Sequence, residues 1–261
     1  MDPQQHLQAL ERDGRSFAAA CADFSAPIHA CPGWTTADLV WHLAEVHHFW
    51  RTVVAQRLGA PDSYEQPARP ANDNLLASYR DGLDETLAVL RAADPAQPNW
   101  TWRNDPADHT AGFVIRRMAH ETAMHCWDAQ DAAGDSQPID AELASDGIDE
   151  FLSQFLGAGS DAEPVGGSVQ GSVQGSVQGS VQGSVHVHCG DVPGEWTVRP
   201  TVDGGFDLAR EHAKGDAAIR GAASDIMLAL WRRRPLNALD TVEVVGDAAV
   251  AERFVALTSL E

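Results

Sequence analysis

The sequence predicts two domains in tandem, an all-α up-and-down four-helix bundle followed by a small α+β domain. Over residues 1–157 the apolar side chains recur every three or four positions, which is the spacing of amphipathic helices. A tetrapeptide, Gly-Ser-Val-Gln, is then repeated without a mismatch over residues 167–182. Beyond the repeat, short runs that alternate apolar and polar residues are mixed with helical stretches, which is typical of an α+β domain.

The first two helices are marked by apolar spacing and by one cap. Leu7, Leu10 and Phe17 define an amphipathic stretch near the N-terminus. The turn at residues 31–34, Cys-Pro-Gly-Trp, separates this stretch from the second helix. Thr35 and, three residues later, an aspartate form an approximate capping box, so we expect the second helix to begin there.

Three further helices are predicted before residue 157. The third covers residues 74–93 and ends before Pro95, because the residue preceding a proline disfavours the helical conformation. The fourth covers residues 111–132. The fifth is capped by Asp140, and its apolar residues extend to Phe155. Four or five helices of this length, joined by loops, predict an up-and-down bundle.

The repeat divides the chain into predicted domains at residues 1–157 and 185–261, with a linker or insertion at 158–184. A flexible, functionally neutral linker is the simplest interpretation of the repeat. Period four is also compatible with a strand, in which Gly and Val face one side and Ser and Gln the other. The repeat could then lengthen a hairpin at a sheet edge.

Five strands and two helices are predicted after the repeat. The strands are 185–189, 195–199, 206–208, 217–222 and 242–245, and the helices are 223–234 and 248–260.

Composition excludes several function classes. The 38 acidic residues outnumber the 18 lysines and arginines, which gives a formal net charge of -20. Such a surface repels nucleic-acid phosphates and anionic membranes. No signal-peptide pattern or membrane-spanning run is present, so we expect a cytoplasmic protein with reduced thiols. The four cysteines have no C-x-x-C spacing, which argues against a thiolate zinc site.

The segment at residues 116–128 carries most of the candidate chemistry. It superficially resembles the zinc-binding motif H-E-x-x-H, in which the two histidines are four residues apart. Here His120 and His125 are five residues apart and lie about 140° apart around a helix. Glu121 and His125 are four apart and share one face. Asp128 lies seven residues after Glu121 on that face, either as a hydrogen-bond partner of a ligand or as an ordinary polar position.

A catalytic zinc ion needs three protein ligands and one open position. His42 is the best third candidate, because it falls within the apolar stripe of the second helix and therefore points into the bundle. Each residue also has a plainer interpretation. His42 could be a hydrogen-bonded core histidine, and Glu121 with His125 could be a pair on a helix surface.

The same residues lie in segments that resemble the mycothiol-dependent maleylpyruvate isomerase family. The segments are 31–35 (Cys-Pro-Gly-Trp-Thr), 38–43 (Asp-Leu-Val-Trp-His-Leu) and 117–128. In the second domain, residues 194–196, 221–225, 230–233 and 245–247 are similar to the C-terminal domain of that family. The resemblance covers nearly the whole chain outside the repeat.

The resemblance implies a DinB-like metal-binding bundle followed by a sterol-carrier-protein-like domain. It implies a zinc site made by His42, Glu121 and His125, at which the thiol of the cofactor or cosubstrate mycothiol is deprotonated. It also implies cis-trans isomerisation of maleylpyruvate by reversible thiolate addition, or thiol S-transfer to another small electrophile. Arg233 matches the arginine that pairs with substrate carboxylates, although arginines 232–234 could instead cap a helix.

Two other functions remain open from the sequence. A zinc hydrolase could use the same site, with Asp128 or His120 as the base. A non-catalytic module could instead hold an apolar ligand in the second domain. The expected partners are a small electrophile and a low-molecular-weight thiol, with no nucleic acid or membrane, and the chain is expected to be a monomer or homodimer.

Overall fold

The computed structural model describes residues 1–156, 183–202 and 205–256. The described chain forms two compact units, the first comprising residues 1–137 and the second beginning at residue 138. The Gly-Ser-Val-Gln repeat and most of the predicted linker at 158–184 lie outside the described residues. Among the helices that are described, none has the length and apolar character needed to cross a bilayer.

The first unit is built from four long helices, as the sequence predicts. They are α1 (Pro3–Ala20), α2 (Thr36–Gln56), α3 (Asn72–Ala92) and α4 (Ala111–Ala132). Helix α1 packs on α4 and α3, and α2 packs on α3 and α4, so each helix has two neighbours in a four-helix bundle. The largest fully buried side chains of the bundle are Leu10, Phe17, Leu39, Leu43, Leu75, Tyr79, Leu83, Leu87, Leu90 and Ile115.

Local sequence explains where these helices begin. The capping box predicted before α2 is present: the Thr35 backbone N–H donates to the Asp38 carboxylate at 3.0 Å, and the Asp38 N–H donates to the Thr35 hydroxyl at 3.4 Å. Asp2 caps α1 in the same reciprocal way. Thr110 caps α4 by accepting from the backbone N–H of Phe113 at 3.2 Å.

Helix α4 is buried on every side over most of its length. Each residue from 117 to 129 is buried, although a helix of the bundle surface would expose one face. Six of these residues are polar: Arg117, His120, Glu121, Thr122, His125 and Asp128. Buried polar groups are normally hydrogen-bonded, so the partners of these six side chains indicate which of them form a functional site.

The second unit begins with α5 (Ala141–Glu150), which continues as a short π-helix at Phe151–Phe155. The predicted cap is present, because the Leu143 backbone N–H donates to the Asp140 carboxylate at 3.1 Å. The sequence analysis placed this helix with the bundle, whereas it packs on a helix of the second unit, α6 (Ala223–Leu230). Amphipathic spacing identifies a buried face but does not say which body that face packs against.

A five-stranded mixed sheet forms the rest of the second unit. The strands are β1 (Val185–Cys189), β2 (Glu195–Pro200), β3 (Phe206–Ala209), β4 (Ala217–Gly221) and β5 (Glu243–Gly246). Their order is β3-β2-β1-β4-β5, with β1 and β4 parallel and the other pairs antiparallel. One face carries the buried side chains of Val185, Val187, Trp196, Val198, Ala217 and Ile219.

Two helices pack on this sheet, α6 (Ala223–Leu230) on β4 and α7 (Ala248–Ala256) on β1, β4 and β5. The sequence predicted that the first of them would extend to residue 234, and this was wrong. Arg232 has a φ of 55°, in the left-handed region, and its backbone N–H bonds to Ala229. This left-handed turn ends the helix at Leu230. The sequence prediction missed the turn because a left-handed residue at a helix end is usually glycine, whereas arginines follow Trp231 here.

Candidate metal centre

Helices α2 and α4 bring the three predicted ligands together inside the bundle. His42 lies on α2, and Glu121 and His125 lie one turn apart on α4. All three are buried, with 7%, 9% and 7% of their surfaces exposed. The spacing argument therefore identified residues that meet in space, although their role as metal ligands stays a prediction.

One carboxylate oxygen of Glu121 lies between the two imidazoles. Its Oε1 is 3.3 Å from the Nε2 of His42 and 3.1 Å from the Nε2 of His125. Ligands held at about 2.0–2.2 Å from a tetrahedral zinc ion lie about 3.3–3.6 Å apart. Two imidazole nitrogens and one carboxylate oxygen are a common donor set for catalytic zinc. The residues present therefore fit a zinc ion in both chemistry and spacing.

Two further buried side chains form hydrogen bonds to the candidate ligands, on the sides of the ligands that face away from the proposed ion. The Nδ1 of His125 lies 2.9 Å from Asp128 Oδ2, and this contact orients the ring so that Nε2 faces Glu121. Arg117 donates from Nη2 to Oε2, the second oxygen of Glu121. Of the two sequence interpretations of Asp128, the structure places it as the hydrogen-bond partner of His125.

The arginine was missed in the sequence analysis. Arg117 precedes Glu121 by four residues, and an i, i+4 pair of opposite charge on a helix is a signal that could have identified it. Its guanidinium is buried with the carboxylate, which distinguishes it from the exposed pairs of α1 such as Arg15 with Glu11.

Burial and neighbouring charges have opposite effects on the pKa values of Glu121 and His125. Burial raises the pKa of Glu121, but Arg117 and His125 outweigh burial, so this pKa falls well below its usual value. Burial lowers the pKa of His125, but the carboxylates of Glu121 and Asp128 outweigh it and raise the pKa to about 9. The pKa of His42 is lowered, first by burial. Without a cation, the cluster therefore holds one carboxylate between a charged and a neutral imidazole.

The other histidines of this region have different partners. His47 Nε2 lies 2.8 Å from the Thr122 hydroxyl, and burial lowers the pKa of His47 to about 3. His48 Nδ1 lies 2.9 Å from the Tyr64 hydroxyl. The ring of His120 packs edge-on against His6, with centroids 5.7 Å apart, which agrees with the expectation that it turns away from the pair.

An aromatic side chain covers one ligand. The Trp34 ring lies 5.0 Å from the His42 ring, between centroids. Trp34 belongs to the turn before α2, so the Cys-Pro-Gly-Trp sequence places an apolar group against the candidate site. An apolar cover lowers the local dielectric and strengthens the interactions of a bound cation.

The buried cysteines give no support to a protein nucleophile. They are Cys21, Cys126 and Cys189, and burial raises the pKa of their thiols to about 12, 12 and 11 respectively. We refer to them as the three buried thiols. A thiol with so high a pKa is not a reactive thiolate at neutral pH.

The predicted substrate arginine lies in the second unit. Arg233 follows α6, and its Nη1 donates to the Trp231 carbonyl at 3.1 Å. The neighbouring Arg232 donates to the carbonyls of Val255 and Ala256 at 3.3 and 2.6 Å, so it caps the end of α7. Arg232 therefore has the helix-capping role that was the alternative interpretation of the arginine cluster. The role of Arg233 stays a prediction.

Comparisons with known proteins agree with this two-unit layout. Residues 7–130 match the family model of the mycothiol maleylpyruvate isomerase N-terminal domain, and residues 142–253 match the C-terminal domain of the same family. The second match begins within α5, the helix that packs with the second unit. No match to a curated protein reaches significance.

Two solved structures have a similar fold. They are crystal structures of a mycothiol-dependent maleylpyruvate isomerase and of a histidine-to-alanine mutant. Each is 11% identical to this chain, covers 95% of both chains and has a TM-score of 0.54. At this level of identity the similarity is evidence for the fold alone.

Proposed function

Because the chain belongs to the mycothiol maleylpyruvate isomerase family of enzymes, we propose that it is a zinc-dependent enzyme that uses mycothiol on a small electrophile. The reaction is cis-trans isomerisation of a maleylpyruvate-like substrate by reversible thiolate addition, or S-transfer of the thiol to another electrophile. The observation that carries the proposal is the buried group of His42, Glu121 and His125, whose ligand atoms meet at zinc-compatible spacing.

The residues of the chain have distinct tasks in this proposal. His42, Glu121 and His125 would hold the ion, which keeps a coordinated thiol deprotonated at neutral pH. Asp128 fixes the tautomer of His125 so that Nε2 faces the ion. Arg117 occupies the outer oxygen of Glu121 and leaves the inner oxygen for coordination. The three protein ligands leave one position for the thiol.

Substrate recognition needs a cation as well. Maleylpyruvate carries two carboxylates, and arginine pairs with carboxylates through two parallel hydrogen bonds. Arg233 is the residue that we expect to supply this contact. A cytoplasmic location, where reduced low-molecular-weight thiols are available, and a monomeric or dimeric state are further expectations.

Zinc content and isomerase activity, measured on the same preparations, test the proposal. We expect His125→Ala to lose one equivalent of zinc per chain and to reduce mycothiol-dependent turnover of maleylpyruvate to background. His29→Ala is the matched control, because the His29 side chain is 70% exposed and contacts Asp131 at the bundle surface. Wild-type turnover by His125→Ala would contradict the assignment, provided that circular dichroism shows an intact fold.

Omission of the thiol separates this function from the alternatives. Turnover of an amide or ester without thiol would indicate the hydrolase. Neither of the two bases considered for a hydrolase is free to act, because Asp128 is hydrogen-bonded to His125 and the ring of His120 packs against His6. A protein that binds no zinc and copurifies with an apolar ligand would indicate the binding module.

A further inference from the structure

A second group of metal-ligating side chains lies in the second unit, on the sheet. His186 is on β1, Glu195 is on β2, and His212 follows β3. We call these three residues the sheet cluster. One ligand atom from each can be chosen so that all lie within 4.8 Å of one another. None of these residues takes part in the proposed reaction.

Strand geometry explains how the sheet cluster forms. Side chains two residues apart on a strand point to the same face, so His186 and His188 of β1 share one face. In the antiparallel register His188 is opposite Glu195, and His186 is opposite Thr197. Both histidines and the glutamate thus lie on the face opposite the apolar one, which is formed by residues such as Val187.

The contacts within the sheet cluster are those of a preformed coordination site. His212 Nδ1 lies 3.3 Å from Glu195 Oε1. The His186 and His212 rings meet edge-on with centroids 4.9 Å apart, which directs nitrogen atoms from two chain segments to one place. His188 Nδ1 lies 2.5 Å from the same oxygen of Glu195.

One member of the sheet cluster lacks a hydrogen-bond partner. His186 is only 7% exposed, and within the described part of the chain its Nε2 atom is buried with no hydrogen bond. Buried side-chain nitrogens are normally paired with protein, water or metal. His186 is one of the three residues whose ligand atoms converge, so a cation bound through its Nε2 would satisfy this nitrogen.

We propose that His186, Glu195 and His212 form a second metal site, which binds a divalent transition ion such as Zn²⁺. Two imidazoles and one carboxylate suit such an ion better than Mg²⁺ or Ca²⁺, which prefer oxygen ligands. The ion connects β1, β2 and the segment after β3. The side chains of Glu195 and His212 are 28% and 76% exposed, so the ion exchanges readily with solvent and chelators.

Zinc binding by the full-length, untagged chain tests this site. We expect equilibrium dialysis to give one fewer equivalent of Zn²⁺ for His212→Ala, for Glu195→Gln and for His186→Ala than for the wild type. Loss of a ligand weakens binding at least as much as loss of an outer partner, about tenfold or more. His29→Ala, another exposed histidine, is the matched control and retains the wild-type stoichiometry.

Zinc binding by the sheet cluster can be measured separately from zinc binding by the candidate site in the bundle. In a His125→Ala background the sheet cluster still binds one equivalent, and this equivalent is lost when His212→Ala is added. Unchanged stoichiometry in both His212→Ala and Glu195→Gln would overturn the proposal. His212 is largely exposed, so its replacement leaves the fold intact, and circular dichroism verifies this. A wild-type protein that binds one equivalent, lost in His212→Ala, would support the sheet cluster and contradict the bundle site.

Discussion

Substitution of Asp128 by asparagine tests whether the hydrogen bond behind His125 tunes the candidate zinc site. The Asp128 carboxylate is fully buried and lies 2.9 Å from His125 Nδ1. Asparagine has nearly the same shape, and its carbonyl oxygen still accepts from the Nδ1–H. The ring orientation and tautomer are therefore kept, and the change removes the negative charge that makes Nε2 a stronger ligand.

The size of the effect follows from this geometry. Loss of an outer partner of a zinc-bound histidine typically weakens metal binding by about 10–100-fold. That range corresponds to about 1.4–2.7 kcal/mol of binding free energy. We expect the upper half of the range for Asp128→Asn, because water does not screen a buried carboxylate at 2.9 Å.

The chain supplies a matched control three residues later. Asp131, on the same helix, lies 3.1 Å from His29, whose side chain is 70% exposed. Zinc affinity is measured by chelator competition in a His212→Ala background, so that the sheet cluster does not contribute. We expect Asp131→Asn to bind zinc as the parent does. Equal zinc affinity of Asp128→Asn and the parent would refute the reasoning.

Three further changes have defined outcomes. Arg117→Ala removes the guanidinium that is buried against the Glu121 carboxylate, so we expect a loss of about 3–5 kcal/mol in the free energy of unfolding, measured by denaturant titration. Arg15→Ala, at the surface, should leave the free energy of unfolding near the wild-type value. Iodoacetamide at pH 8 should leave the three buried thiols unmodified, because their raised pKa values keep them protonated below about pH 10, so peptide mass spectrometry should find label only at Cys31. Label on a buried thiol would contradict this. Arg233→Ala should raise the KM for a dicarboxylate substrate at least about tenfold, with a smaller change in kcat. Arg234→Ala, the control, should leave both constants near the parent values. An unchanged KM in Arg233→Ala would show that Arg233 does not bind the substrate.

The bundle and the meeting of its three polar residues could be predicted from local pattern. Glu121 and His125 share a helix face by spacing, and His42 lies in an apolar stripe that must face the core. These inferences succeed because helix periodicity fixes direction as soon as one buried face is known. The fold class of both domains follows from the same periodicities.

Other features depend on which elements pack together, and the sequence does not encode this locally. The apolar face of α5 identifies a buried helix, but its contact with α6 involves residues far along the chain. The alternation of His186 and His188 is visible in the sequence, whereas the approach of His212 requires the β2–β3 pairing. Likewise, the sequence near Arg232 carries no local signal for its left-handed conformation, and its guanidinium bonds to α7, which lies later in the chain.

The burial of α4 on every side has an evolutionary consequence. Between residues 117 and 129 no position faces solvent, so no position is open to the neutral drift that surface residues tolerate. Divergence among related enzymes should therefore leave this segment nearly fixed and accumulate in the loops between helices. New substrate preferences can then arise without change to the residues proposed to hold the metal. Under the proposed function, two of the three metal ligands and the residues that vary most would lie in different stretches of the chain.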